Sequence, residues 1–152
     1  MKPHPQLKKF LSPYSDEVKE LTLQLRDYII TLVPEANELI WDNYNAVAMA
    51  YAKSEELKDA FVHIAVYSKH VNFGFNRGSE LANKKNIALK GNGKLIRHIK
   101  VMDHDAFMKM KVDELLYEAL GLSEKLNPAI IGKVSKDRSI VKSISEKKVR
   151  PS

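Results

Sequence analysis

From Val18 onward, apolar residues recur at three- and four-residue steps (Val18, Leu21, Leu25, Ile29, Leu32), the spacing of one stripe on an amphipathic helix. Ser15 stands where an N-cap belongs, and Asp16 and Glu17 fill a first turn whose partial positive charge favours acids. Pro34 ends this helix and suits the first position of another, so Ala36, Leu39 and Ile40 predict a bend and a second short helix. The period then changes. From Asn45, Val47, Met49 and Tyr51 alternate with Ala46, Ala48, Ala50 and Ala52, a strand whose small-residue face could lie close against a helix.

A polar connection over Ser54-Glu55-Glu56-Leu57-Lys58-Asp59 leads into the apolar run Ala60 to Tyr67, interrupted by His63. Val71, Phe73 and Phe75 alternate with Asn72, Gly74 and Asn76 after the turn Ser68-Lys69-His70, which predicts a hairpin. Ile87 to Leu89 reads as a short edge strand, and Lys94 to Val101 as a further strand after the Gly91-Asn92-Gly93 turn. Val112, Leu115, Leu116, Ala119 and Leu120 mark a helix that stops at Gly121 or at Asn127-Pro128. The expected fold class is α+β: an antiparallel sheet packed against N-terminal and C-terminal helices.

At 152 residues the chain suits one well-buried core. It divides into a lead over 1–11, a domain over 12–126 and a tail over 127–152. The formal charge of +6 sits mostly in that tail, where seven basic residues stand against two acids. The tail therefore reads as a solvated, flexible terminus, with a nucleic-acid- or partner-seeking arm as the alternative. No apolar run reaches the ~18 residues of a membrane span, and Met1-Lys2-Pro3-His4-Pro5 lacks a signal-peptide core. With no cysteine, thiolate chemistry and disulfides are excluded. The expectation is a cytoplasmic protein without a membrane partner.

Chemistry-bearing residues are few. Gly91-Asn92-Gly93-Lys94 could free backbone N–H groups toward an anion, with Lys94, Arg97, His98 and the nearby Arg77 adding charge. Strand alternation puts Lys94 and His98 on one face and Arg97 on the other, and a plain hairpin turn is the competing reading. Asp16 and Glu20, one helical turn apart, could share a hard cation, though a solvated helix face has the same pattern. Asp103-His104-Asp105 reads as a helix cap. No catalytic triad, zinc-protease or dinucleotide motif is present, so the residues describe a binding protein rather than an enzyme.

The pair of stretches His70-Val71-Asn72-Phe73-Gly74-Phe75-Asn76-Arg77-Gly78-Ser79-Glu80-Leu81 and Leu89-Lys90-Gly91-Asn92-Gly93-Lys94-Leu95-Ile96-Arg97-His98-Ile99 resembles the YdhG-like family of uncharacterised bacterial proteins, over roughly Ser12 to Leu126. The resemblance implies the same helix–sheet–helix layout. Some members are described as frataxin-like intracellular iron chaperones, which implies iron held by carboxylates on an acidic helical face. Asp16, Glu17 and Glu20 are the matching residue types here.

Overall fold

The computed structural model describes residues 1–132 and 138–149. Its first element falls within the expected lead. Helix α1, Pro5–Leu11, is capped by His4, whose Nδ1 accepts the Gln6 N–H. Leu7, Phe10 and Leu11 are buried in the core, so this segment is part of the packed domain. Helix α2, Asp16–Leu32, starts as its sequence indicates: Ser15 Oγ accepts the Val18 N–H at 3.2 Å. The predicted stripe of Val18, Leu21, Leu25 and Ile29 is buried.

The second short helix expected after Pro34 does not form. Asn37–Asp42 is strand β1, paired antiparallel with β2, Val47–Ala52, from Asn37↔Ala52 to Asp42↔Val47. Pairing overrides the helical spacing of Ala36, Leu39 and Ile40 because β2 on one side and a C-terminal strand on the other together supply hydrogen-bond partners along this segment. Strands β3, Ala60–Val66, and β4, Val71–Phe75, form the predicted hairpin. Strand β5, Arg97–Val101, follows. The expected strand at Ile87–Leu89 is replaced by a loop, from which Lys90 alone bridges to His98. Helices α3, His104–Lys109, and α4, Asp113–Leu126, complete the domain. Helix α4 runs through Gly121 and stops at Asn127, the second of the two predicted stops.

Part of the expected tail joins the sheet. Ser139–Ile144 is strand β6, parallel to β1, in a sheet ordered β5-β4-β3-β2-β1-β6 in which the other pairs are antiparallel. The Glu38 N–H donates to the Arg138 carbonyl, and the Arg138 guanidinium donates to the carbonyls of Pro34 and Ala36. Farther on, Lys148 Nζ lies 2.6 Å from the buried carboxylate of Asp42. Charge counting reads this stretch as a solvated arm, but Ile140 and Val141 pack on the sheet and individual cations find partners there. Residues 133–137 and 150–152, also in the expected tail, lie outside the described residues.

The helices share one side of the sheet. Val47, Met49 and Tyr51, with Val62, Ile64, Val66, Phe73, Phe75, Ile99 and Val101, meet the stripes of α1, α2 and α4 in a single core. The alanine face of β2, expected to receive a helix, points the other way. Ala50 and Ala52 cluster there with Leu39, Ala60, Trp41 and Ile140, all strand residues. Bulky side chains fill the sheet–helix layer better than alanine, which decides the orientation.

One polar network is buried under α2. Arg26 Nε donates to Glu38 Oε2 at 2.7 Å, Tyr51 OH donates to the same oxygen at 2.7 Å, and Ser139 Oγ donates to Oε1 at 2.7 Å. Burial, reinforced by Glu38, pushes the Tyr51 phenol far above its usual pKa. No helix among the described residues is long and apolar enough to cross a membrane.

Candidate functional site

Asp16, Glu17 and Glu20 lie exposed on the first turns of α2, and Asp16 is engaged by Lys19 at 3.2 Å. Among the described residues no three His, Asp or Glu side chains are gathered so as to hold a metal ion. Lys94, Arg97, His98 and Arg77 do not converge either. Lys94 projects from the turn into solvent. The Arg97 guanidinium folds back, donating from Nη1 to the carbonyls of Gly93 and Ile96 at 2.7 Å each, and so braces the turn. Gly91 has a φ of +120°, a conformation open to glycine. Arg77 is held by Glu80 at 2.6 Å. Of the four, His98 alone reaches the face of the sheet that lacks helices.

That open face is built by strand alternation. Register places Ala50, His63, Gly74 and His98 in one row across β2 to β5, with Lys90 bridged beyond His98. The next row is Ala48, Ala65, Asn72 and Lys100. Neither row contains an acid, although Asp and Glu make up 19 of the 152 residues. The rows carry two histidines and Lys100, flanked by Lys90 and by His70 at the hairpin turn. His70 stacks on Tyr67 with ring centroids 5.0 Å apart.

His63 is the most constrained group on this face. Its ring lies directly over Gly74, where a Cβ would stand 2.1 Å from Nε2, so Gly74 is the residue that makes room for it. Nδ1 is 2.9 Å from Asn76 Oδ1. An amide oxygen can only accept, so Nδ1 carries the hydrogen and Nε2 is left as an acceptor. Burial lowers the His63 pKa, with His98 adding to the effect and the Asn76 bond opposing it. The pKa of His98 is lowered by partial burial and then by Lys90. The pKa of His70 is lowered by partial burial and then by Lys100 and His98, with a bond to Asn72 opposing them and Lys90 contributing least. Lys90, Lys100, His70 and His98 therefore lie within one another's field.

Beside His63 lies a hollow of about 300 Å³, walled by Trp41, Ala48, Ala50, Leu57, Ile96 and Asn76. It offers neither a hydroxyl nucleophile nor a carboxylate, so its chemistry is recognition. His63, His70 and His98 stand out in the sequence as titratable groups that suggest a site, whereas their companions Lys90 and Lys100 do not. The available signal was the absence of acids from the outward positions of β2 to β5, visible once the register is known. No family model, curated protein or solved structure matches this chain.

Proposed function

We propose that the protein is a binding module for a small anionic ligand and that its site is the open sheet face rather than the Gly91-Asn92-Gly93-Lys94 turn. The observation that carries this reading is the pair of acid-free rows that bring His98 and Lys100 beside Lys90 and His70. Clustered cations without counter-charges raise the local concentration of anions, and a charged hydrogen bond lost from such a site costs about 1.5–3 kcal/mol, tenfold or more in affinity.

Inorganic phosphate titrated calorimetrically at low ionic strength tests the site. Lys90→Ala combined with Lys100→Ala should weaken binding at least tenfold, whereas Lys94→Ala should leave it within twofold. Equal affinities in all three proteins would sink the reading. The histidine shifts also fix a pH sign. His70 and His98 have pKa values below the ordinary 6.5, so they are mostly neutral at pH 7 and charge as pH falls below that value. Affinity for sulfate, an anion whose charge is constant over this range, should rise on acidification below pH 6.5, and less so in His98→Gln.

The resemblance to the YdhG-like family supports a different ligand, iron. That role would fall to the solvated carboxylates of α2, one of which already faces Lys19. Replacing Asp16, Glu17 and Glu20 together by alanine is expected to leave Fe(II) titrations unchanged; loss of a binding event would restore the iron reading.

A further inference from the structure

The hollow beside His63 is a site of its own, separate from the cations. Register sets its plan. Trp41 of β1 pairs with Ala48 of β2, and Ala50 of β2 pairs with His63 of β3, so two flat side chains stand on either side of an alanine floor. Trp41 is packed against the cluster of Leu39, Ala50, Ala52 and Ala60, and the His63 ring lies over Gly74 of β4, on the side away from β2. The strands that carry them are two inter-strand spacings apart, about 9–10 Å. A flat ring prefers its aromatic neighbours at centroid separations of about 4.5–7 Å, so the gap admits one ring between indole and imidazole. The volume of about 300 Å³, at the small end of ligand sites, agrees. Leu57 and Ile96, 53% and 49% exposed, form its rim.

Charge decides the class of ring. Among the described residues no acid, lysine or arginine lines the hollow, and burial holds His63 below the usual histidine pKa, hence neutral at pH 7. An ion placed there would give up water without meeting a counter-charge, a cost that a neutral ring does not bear. Asn76 lines the same hollow. Its Oδ1 is taken up by His63 Nδ1 at 2.9 Å, so the N–H groups of the amide are the part left to donate. We propose that the hollow binds an uncharged aromatic ring carrying a carbonyl group, the ring on the floor of Ala48 and Ala50 between Trp41 and His63 and the carbonyl oxygen accepting from Asn76 Nδ2. Covering Leu57 and Ile96 adds apolar burial, and the amide contact fixes the orientation of the ring. This site goes beyond the anion-binding reading and does not rest on it, because Lys90 and Lys100 stand outside the hollow.

Trp41 is the single tryptophan of the chain, so its fluorescence reports on the hollow directly. Benzamide is expected to shift or quench Trp41 emission at pH 7 and to bind at least tenfold more tightly than benzoate or benzylamine, which present the same ring with a negative or a positive charge. Ala48→Leu raises the floor and should abolish the benzamide response. Asn76→Asp keeps an oxygen for His63 Nδ1 but removes the amide N–H groups, and should weaken benzamide at least tenfold. Leu57→Asp, on the exposed rim, should weaken it as well while the thermal midpoint stays at the parent value. Lys90→Ala combined with Lys100→Ala should leave benzamide binding within twofold even where phosphate binding is lost, which separates the two sites. Benzamide that leaves Trp41 emission unchanged, or that binds no better than benzoate, overturns the proposal whatever phosphate does. Undiminished benzamide binding in both Ala48→Leu and Leu57→Asp would place the ring elsewhere and overturn it too.

Discussion

Replacing Glu38 by alanine is expected to lower the unfolding free energy by about 3–5 kcal/mol, the usual cost of leaving one member of a buried ion pair without its partner. Arg26 is 1% exposed and Glu38 fully buried, so water cannot take over the role of the lost carboxylate. Among the described residues one guanidinium nitrogen, Nη2, has no hydrogen-bond partner, and Nη1 donates to the Met1 carbonyl at 3.0 Å. Removing Glu38 also strands the hydroxyls of Tyr51 and Ser139, both of which it accepts. For a domain of ordinary stability, about 5–15 kcal/mol, this is a large fraction. Urea denaturation measures it. The double replacement Arg26→Met with Glu38→Leu should cost clearly less than Glu38→Ala alone, because it removes both charges together. A Glu38→Ala protein within 1 kcal/mol of the parent would show that the network contributes little.

Truncation after Gly132 carries the second large effect. A freely solvated tail would be dispensable, whereas β6 is a strand of the sheet. Its removal takes away the Arg138 bond to Ala36, the Ser139 bond to Glu38 and the Lys148 contact with Asp42. At about 1 kcal/mol for each such interaction, these side-chain contacts alone account for roughly 3 kcal/mol, and the backbone pairing of β6 with β1 and the packing of Ile140 and Val141 go with them, so the thermal midpoint should fall by at least about 6–12 °C for a chain of this size. It also bares the β1 edge next to Leu39 and Trp41, a template for pairing between molecules. Differential scanning calorimetry and light scattering on the truncated chain read both effects. An unaltered midpoint in a monomeric protein would place β6 outside the cooperative unit.

These two expectations arise where sequence pattern and structure part. The Ser15 cap, the α2 stripe and the β3–β4 hairpin are local devices, each decided by residues within a few positions of one another. β1 is different. Its helix-facing positions Glu38, Ile40 and Asp42 include two carboxylates, so the hydrophobic alternation that would mark a half-buried strand is masked. Those acids are tolerated inside because Arg26 and Lys148 reach them from distant parts of the chain. The alternation of β2 was legible, but which side faces the helices depends on the volume of the sheet–helix layer. The candidate site divides in the same way. Lys94 and Arg97 stand out as sequence neighbours of Gly91-Asn92-Gly93, yet Arg97 serves its own turn. His98 gains Lys90, Lys100 and His70 as companions through register and turn geometry, which a one-dimensional pattern does not encode.

The parallel pairing of β6 with β1 also constrains the order in which the chain can fold. Ser139 and Glu38 are 101 residues apart, so joining them closes a long loop and comes late on entropic grounds. During synthesis, the helices and the antiparallel strands β1 to β5 can assemble while the β1 edge is still open. Until β6 has left the ribosome, each nascent chain presents that edge to its neighbours on the same message.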